Sequence, residues 1–129
     1  MKALFIGLGS IGQRHLRNLR KLAGDSVEVI AYRTKRQVPV LNDKFQVDEN
    51  ANLAEKYNVR EFEDLDEALN ERPEIAFITN PTSHHVDVAL KAAKAGCHLF
   101  IEKPIDSCID RVEELVELVA SKGLITTVA

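Results

Sequence analysis

The sequence predicts an α/β fold in which one mostly parallel sheet carries helices on both faces. Short apolar segments alternate with amphipathic helical segments along all 129 residues, which is the pattern of repeated βα units. A composition of 45% hydrophobic and 29% charged residues suits one globular domain. We therefore expect a single three-layer, doubly wound domain over residues 1–129, with strand order 3-2-1-4-5-6.

The first predicted strand, Lys2–Ile6, leads directly into a glycine-rich turn. Gly7-Leu8-Gly9-Ser10-Ile11-Gly12, called the glycine turn below, precedes a predicted helix over residues 11–22. In this context the three glycines permit a tight turn, close approach of a pyrophosphate and packing of helix on strand. The helix start also offers N–H groups to phosphate. The alternative is an ordinary strand–helix turn. The expected cofactor contacts are Gly7, Gly9, Ser10, Ile11 and Gly12.

Helical spacing divides the side chains of this first helix into two sets. The predicted inner face consists of Ile11, His15, Leu16, Leu19 and Leu22. The basic residues predicted to lie mostly on a solvated face are Arg14, Arg17, Arg20 and Lys21.

The second predicted strand, Val27–Tyr32, would end beside the ribose of a bound adenosine. An NAD site typically has Asp or Glu there, about 20 residues beyond the glycines, but Tyr32 is not acidic. The next residues, Arg33 and Thr34, could bind a 2′-phosphate. The sequence thus favours NADP over NAD, with Tyr32, Arg33 and Thr34 as contacts. The alternative is a solvated basic turn over Arg33–Arg36.

The middle of the chain gives weaker signals. Residues 37–50 are consistent with a small hairpin that turns at Asn42-Asp43, or with a mobile loop beside the adenosine pocket. Short helices are predicted over residues 52–57 and 64–70, with a brief strand near residues 59–60 between them.

Two buried strands are predicted in the second half, at Ile75–Ile78 and His98–Ile101. Ser83 is expected to cap the helix after the first, and Asp106 or Ser107 the helix after the second. The inner face of that last helix is predicted to include Val112, Leu115, Val116 and Val119. A sixth strand is predicted over residues 125–128.

The carboxyl ends of parallel strands lie at one sheet edge, where ligands bind in this fold class. Four stretches should therefore meet there: the glycine turn, Arg33, Asn80–His85 and Glu102–Pro104. The last stretch, Glu102-Lys103-Pro104, is called the E-K-P turn below.

Three motifs together resemble a known family. They are G-L-G-S-I-G, N-P-T-S-H-H with a helix ending in A-G-C-H-L, and E-K-P directly after a buried strand. At these spacings the chain resembles, over nearly its whole length, the N-terminal NAD(P)-binding Rossmann domain of the glucose–fructose oxidoreductase / inositol dehydrogenase / rhizopine-catabolism family. The resemblance implies a hydride-transferring oxidoreductase that acts on a sugar, cyclitol or related compound.

The resemblance also implies roles for individual residues. Lys103 would contact the substrate hydroxyl and relay its proton, Pro104 would shape the nicotinamide site, and Glu102 would lie close by. His85, rather than His84, occupies the histidine position of the family. Asn80, Pro81 and Thr82 would line the nicotinamide half of the cofactor pocket. The alternatives are a solvated loop lysine at Lys103 and a packed or helix-capping histidine at His85.

Members of this family carry a second, sheet-rich substrate domain, which these 129 residues cannot supply. We expect the chain to be the cofactor-binding part of a longer enzyme, inactive alone, whose homo-oligomer contacts lie in that second domain. The alternatives are a non-enzymatic NAD(P)-binding module or redox-sensing regulator and, less well supported, a methyltransferase.

Other functional classes fit the sequence poorly. A net charge of −3 argues against general nucleic-acid binding, and no apolar run approaches the roughly 20 residues of a membrane span. Cys97 and Cys108 lack the spacing of a metal site or disulfide framework, so we expect two reduced thiols, no metal and a cytoplasmic protein.

Overall fold

The computed structural model describes residues 1–34 and 38–129, so part of the predicted basic turn, Lys35-Arg36, lies outside the described residues. The described residues form one six-stranded parallel sheet with the order β3-β2-β1-β4-β5-β6. The strands are β1 (Lys2–Ile6), β2 (Glu28–Tyr32), β3 (Val59–Phe62), β4 (Ile75–Ile78), β5 (His98–Ile101) and β6 (Thr126–Val128). The predicted fold class and strand order are confirmed.

Helices cover both faces of this sheet. They are α1 (Ser10–Ala23), α2 (Leu53–Tyr57), α3 (Leu65–Asn70), α4 (His85–Lys94) and α5 (Val112–Lys122). Helices α1 and α2 pack on one face, while α3, α4 and α5 pack on the other. None of the helices formed by the described residues is long and apolar enough to cross a bilayer.

The central strand β1 is apolar and fully buried from Ala3 to Ile6. Leu4 and Ile6 join the core under α3–α5, whereas Ala3 and Phe5 join the core under α1 and α2. Both faces of a doubly covered sheet exclude water, so a continuous apolar run is required instead of an alternating one. This burial fixes the glycine turn at the centre of the sheet edge.

Four strands end at the same level of the sheet. Ile6 pairs with Tyr32 on one side and with Ile78 on the other, and Ile78 pairs with Ile101. The residues that follow these strands therefore lie along one edge. This register brings together the four stretches that the sequence places at the ligand-binding edge.

Two predicted helix starts are wrong. His84 holds the cap position of α4 without a side-chain hydrogen bond, so Ser83 does not cap it. The last helix begins only at Val112, so neither Asp106 nor Ser107 starts it. Instead, the Asp106 carboxylate accepts a hydrogen bond from the Val86 N–H of α4 at 3.2 Å.

Asp106 is thus a cap supplied by a distant part of the chain. Burial alone would raise its pKa, but N–H donors from Ser107, Val86 and Cys108 and the Ser107 hydroxyl hold the pKa below its ordinary value. The carboxylate form is therefore favoured by folding. The ionised Asp106 carboxylate therefore adds to the free energy of unfolding at a pH above its ordinary pKa. This stabilisation is lost as the pH falls through the lowered pKa.

The predicted inner and solvated faces of α1 and α5 need correction at four positions. Arg20 is not solvated, because its side chain is 13% exposed and donates to four backbone carbonyls. Arg17 is buried, not solvated, because its guanidinium donates to the Leu41 carbonyl at 3.0 Å and pairs with Asp43. Leu22 is 88% exposed, in the last turn of α1. On α5, Val116 is 59% exposed, and Leu118 packs on the core instead.

Residues 38–51 form a loop with a single antiparallel bridge, between Leu41 and Val47. The Asn42 side chain closes the turn by accepting from the N–H groups of Lys44 and Gln46. Two backbone hydrogen bonds flank this bridge, from the Asn42 N–H to the Gln46 carbonyl at 2.9 Å and from the Asp48 N–H to the Val40 carbonyl at 2.8 Å. The predicted small hairpin at Asn42-Asp43 is therefore present with a single bridge, and polar contacts with α1 hold it in place.

Both cysteines are free thiols in the structure, as predicted. Cys97 is fully buried and donates to the Pro73 carbonyl at 3.3 Å, and this burial raises its pKa to about 11. Cys108 is exposed.

Candidate dinucleotide site

The glycine turn is shaped by two glycines that leave no room for a side chain. Gly7 has φ +92°, and a Cβ there would lie 2.8 Å from the Asn80 backbone. At Gly12 a Cβ would lie 2.5 Å from the Gly7 carbonyl oxygen and 2.8 Å from Thr79 Oγ1. A larger residue at either position would push the turn away from the end of β4.

Gly9 differs from Gly7 and Gly12 in having room for a side chain. Apart from Gly9 itself and its two chain neighbours, no heavy atom of the described residues lies within 4 Å of the position that a Cβ would take. Gly9 also occupies the cap position of α1 without a side-chain cap, and the first acceptor in the helix is its own carbonyl, bound by the Gln13 N–H at 2.9 Å. In the described chain, the N–H groups of Ser10, Ile11 and Gly12 have no backbone or side-chain acceptor. Open space before unpaired donors at a helix start fits a phosphate group.

Thr79 fastens the glycine turn to the neighbouring strand, a role that the sequence reasoning missed. Its hydroxyl donates to the Gly7 carbonyl at 2.6 Å, and its N–H donates to the Ile6 carbonyl at 3.0 Å. The available signal was a hydroxyl residue directly after the apolar run of β4, where a buried polar group requires partners.

The adenosine half of the site, meaning the side towards β2 and β3, contains Arg33 and Thr34. Both line a cleft of about 690 Å³ with Pro39, Val40 and Glu61 among its other walls. The Arg33 guanidinium forms an ion pair with Glu61, and the Arg33 N–H donates to the Phe62 carbonyl at 2.9 Å.

Tyr32 lies on the other side of the sheet from this cleft. Its side chain packs against the core under α3–α5, while its carbonyl accepts from the Gly7 N–H at 3.2 Å. The structure therefore connects Tyr32 to the glycine turn through its backbone.

Gln13 anchors the loop of residues 38–51 and was also missed. Its fully buried amide donates to the carbonyls of Leu8 and Pro39 and accepts from the Leu41 N–H at 2.8 Å. A glutamine in the first turns of an amphipathic helix gives no distinctive sequence signal, because such residues are usually solvated.

The nicotinamide half, meaning the side towards β4 and β5, is built from Asn80–His84 and the E-K-P turn. His85 joins these two segments. Its ring is 1% exposed, with Nδ1 3.0 Å from the Pro104 carbonyl oxygen and Nε2 2.8 Å from the Asn80 carbonyl oxygen. Both ring nitrogens thus face backbone acceptors, and a neutral imidazole can donate to only one of them at a time.

A second histidine contacts the same turn from α1. His15 Nε2 lies 2.6 Å from Glu102 Oε1, with the two side chains 19% and 13% exposed. The His15 ring also packs edge-on against Phe100, with centroids 4.8 Å apart. This pair was not anticipated from the sequence, because its members are 87 positions apart.

The backbone of the E-K-P turn is held by two more hydrogen bonds. The Glu102 N–H donates to the Ile78 carbonyl at 3.0 Å, and the Lys103 N–H donates to the Ala129 carbonyl at 2.8 Å. The Lys103–Pro104 peptide bond is cis. The Lys103 side chain is exposed and has no hydrogen bond or ion pair within the described ranges. A fixed backbone therefore carries an available amine.

Asn80 supplies a further sign that a ligand belongs in this half. Its Oδ1 is buried and has no hydrogen-bond partner in the described chain. Buried polar atoms without partners are rare in native proteins, and a bound ligand is one explanation. Pro81 is exposed and Thr82 is half-buried beside it. Within the described residues there is no group of three or more His, Cys, Asp or Glu that could hold a metal ion.

Comparison with known proteins shows the family to which the chain belongs. The family described as "Oxidoreductase family, NAD-binding Rossmann fold" matches residues 1–129. The chain belongs to this family. The resemblance seen in the sequence is thereby confirmed, and the chain is an NAD-binding oxidoreductase domain.

Relatives within this oxidoreductase family include inositol dehydrogenases. The chain is 27% identical over 125 residues to inositol 2-dehydrogenase of Salmonella typhimurium, covering 95% of this chain and 34% of that protein. It is 28% identical over 136 residues to scyllo-inositol 2-dehydrogenase (NAD(+)) of Bacillus subtilis, covering 99% and 35%. The chain thus spans about a third of the length of these relatives.

The solved structures show the same fold. UDP-N-acetylglucosamine 3-dehydrogenase GnnA from Acidithiobacillus ferrooxidans matches with a TM-score of 0.76 and 25% identity. The match covers 100% of this chain and 38% of that one.

Proposed function

We propose that this chain forms the cofactor site of an oxidoreductase that moves hydride between NADP(H) and a small hydroxyl or carbonyl compound. The observation that carries the proposal is the open space at Gly9, set before the unpaired N–H groups at the start of α1. Gly7 and Gly12 are needed for packing, whereas Gly9 leaves open space directly beside the uncapped start of α1.

Different residues of the carboxyl edge would bind different parts of the cofactor. Gly9, Ser10 and Ile11 would bind the pyrophosphate through backbone N–H groups. Asn80 would use its unpartnered amide oxygen on the nicotinamide half, with Pro81 and Thr82 beside it.

Arg33 and Thr34 support NADP over NAD. Both line the adenosine cleft, and a guanidinium can bind a 2′-phosphate through two N–H donors while a hydroxyl donates a third hydrogen bond. The ion pair with Glu61 shows that the Arg33 side chain already points to a negative group in this cleft.

Bound nicotinamide would supply hydride exchange with the carbinol carbon of the substrate. The chain must then handle the hydroxyl proton, and Lys103 Nζ is the group best placed to accept or return it. Its backbone is fixed on both sides, and its amine has no partner in the described residues. Glu102 and Pro104 would hold this lysine beside the nicotinamide.

The relatives suggest the substrate class and the setting. Inositol dehydrogenases act on a cyclitol, so a sugar, cyclitol or related compound is proposed here, in a longer protein whose further residues bind it. Homo-oligomer contacts are proposed to lie outside these 129 residues. A cytoplasmic location is supported by two free thiols, one of them exposed.

Titration calorimetry of this chain with NADPH, NADP⁺, NADH and NAD⁺ tests the cofactor assignment. We expect the phosphorylated pair to bind more tightly. The variant Gly9→Ala should keep the thermal stability of the wild type, because its Cβ meets no protein atom, yet lose at least about tenfold in affinity, the cost of one or more phosphate hydrogen bonds. Unchanged binding by Gly9→Ala would contradict the phosphate site, and tighter binding of NADH would contradict the NADP assignment.

The role of Lys103 requires the full-length protein and its substrate. Lys103→Ala should lower kcat by about 10²- to 10⁴-fold, the range of general acid–base catalysis, while NADPH affinity changes little. Lys122→Ala, at the end of α5, removes the same charge away from this edge and serves as the control. Undiminished turnover by Lys103→Ala would exclude the proton relay.

A further inference from the structure

The E-K-P turn is held by a histidine on each side of Lys103. His85 bonds to the Pro104 carbonyl from α4, and His15 bonds to the Glu102 carboxylate from α1. The two contacts differ in kind. His85 contacts backbone, whereas the His15 partner is an ionisable side chain adjacent to the lysine that carries the proposed chemistry.

We propose that His15 is a positioning residue: it holds the Glu102 carboxylate away from Lys103 and links the nicotinamide half of the site to the helix that binds the phosphates. This inference rests on the proposed function. His15 would act only through Glu102.

The position of His15 on α1 is the first support. It lies one helical turn beyond Ile11, on the helix whose start forms the phosphate site. Its partner follows β5, the second strand away from β1 in the sheet order. One hydrogen bond of 2.6 Å therefore connects the two ends of the cofactor site across β4.

The environment of Glu102 is the second support. Its side chain is 13% exposed, and His15 Nε2 is its hydrogen-bond partner among the described residues. A partly buried carboxylate that loses its donor must find another charge or water. The adjacent cation in the sequence is Lys103, whose amine has no partner in that same set. Release of Glu102 would thus favour a Glu102–Lys103 pair, which removes the amine from a substrate.

Packing fixes the orientation of the imidazole. The edge-on contact with Phe100 holds the ring, and Phe100 itself lies 5.2 Å from Phe77 by ring centroids. The aromatic contact and the hydrogen bond can therefore be separated by mutation. His15→Phe retains an aromatic ring against Phe100 but cannot donate, whereas His15→Gln retains an amide N–H that can reach Glu102.

The binding test compares two ligands with this chain. NADPH spans the whole site, whereas 2′,5′-ADP lacks the nicotinamide. We expect His15→Phe to bind NADPH about tenfold more weakly, a change of about 1.4 kcal/mol, because the E-K-P turn is no longer held for the nicotinamide, and to bind 2′,5′-ADP as the wild type does. His15→Gln should recover most of the NADPH affinity. Equal losses for both ligands, no loss of NADPH affinity, or failure of His15→Gln to recover would each overturn the inference.

A nuclear magnetic resonance measurement tests the hydrogen bond without any ligand. The ¹⁵N shifts of the His15 ring should show Nε2 protonated in the wild type, with a change in Glu102→Gln that His84 does not share. A wild-type chain that binds neither ligand would refute the proposed function, whereas an Nε2 shift unaffected by Glu102→Gln would refute the inference by itself.

Discussion

The two halves of the site are built in opposite ways. In the nicotinamide half, His85 is 1% exposed with its two ring nitrogens facing backbone carbonyls, and two further main-chain hydrogen bonds hold the E-K-P turn. In the adenosine half, Arg33 and Glu61 form an ion pair at the wall of an open cleft. In the nicotinamide half, buried polar groups hold the chain in place. In the adenosine half, charged side chains face a ligand.

The two halves therefore have different tasks: one places the reacting groups, and the other selects the cofactor. Hydride transfer requires close and reproducible placement of the reacting groups, which buried hydrogen bonds can provide. Discrimination between a ribose hydroxyl and a 2′-phosphate depends on charge, which accessible side chains can provide without disturbing the fold. We therefore expect mutations in the first half to affect stability, and mutations in the second to affect cofactor choice.

The largest effect is expected from His85→Leu. Removing the imidazole leaves one of the Asn80 and Pro104 carbonyls without its N–H donor in a buried setting, so the free energy of unfolding should fall by about 2–3 kcal/mol. Urea denaturation measures this. His84→Leu is the matched control, because the neighbouring His84 is exposed and its side chain caps nothing. Similar losses of stability in His85→Leu and His84→Leu would contradict the view that His85 fixes the nicotinamide half.

A smaller effect, confined to binding, is expected from Arg33→Gln. NADPH affinity should fall about tenfold, the value of one charge-assisted hydrogen bond, while NADH affinity and urea stability stay unchanged. Arg72→Gln removes the same charge from the other edge of the sheet, beside residues such as Lys2 and Glu74, and is the control. If NADH affinity falls equally, Arg33 does not select the phosphate.

The smallest effect is expected from Glu61→Gln. This change frees the Arg33 guanidinium from its carboxylate partner, and NADPH affinity should rise about threefold, within the range measured for exposed ion pairs. Glu117→Gln on α5 controls for net charge. Isothermal titration at one fixed salt concentration gives both values, and a loss of NADPH affinity in Glu61→Gln would mean that Glu61 supports the ligand.

The sequence predicted the parts of the molecule that depend on local pattern. The bounds of β1, β4 and β5 agree with prediction, because each is a short, mainly apolar run ended by glycine or a polar residue. Strand β1 is buried on both faces, whereas alternate residues of β4 and β5 are only partly buried. The common level of the strand ends follows from the parallel topology alone. These features suffice to place the four stretches of the site at one edge.

Side-chain pairing could not be predicted in the same way. His15 and Glu102 meet only because α1 packs on the face of the sheet where Phe100 of β5 lies, and Arg17 is buried only because the loop of residues 38–51 folds onto α1. A charged residue in a run of basic residues resembles any solvated position. Such contacts depend on the packed fold, which no single segment encodes.

The Gln13 amide holds the loop of residues 38–51 through hydrogen bonds that are insensitive to salt, unlike the Arg33–Glu61 ion pair in the same cleft. Its three hydrogen bonds, to Leu8, Pro39 and Leu41, involve no net charge. Ions screen the Arg33–Glu61 pair but leave such neutral, buried bonds nearly untouched. As ionic strength rises, the wall of the adenosine cleft therefore keeps its shape while the charge that it presents weakens.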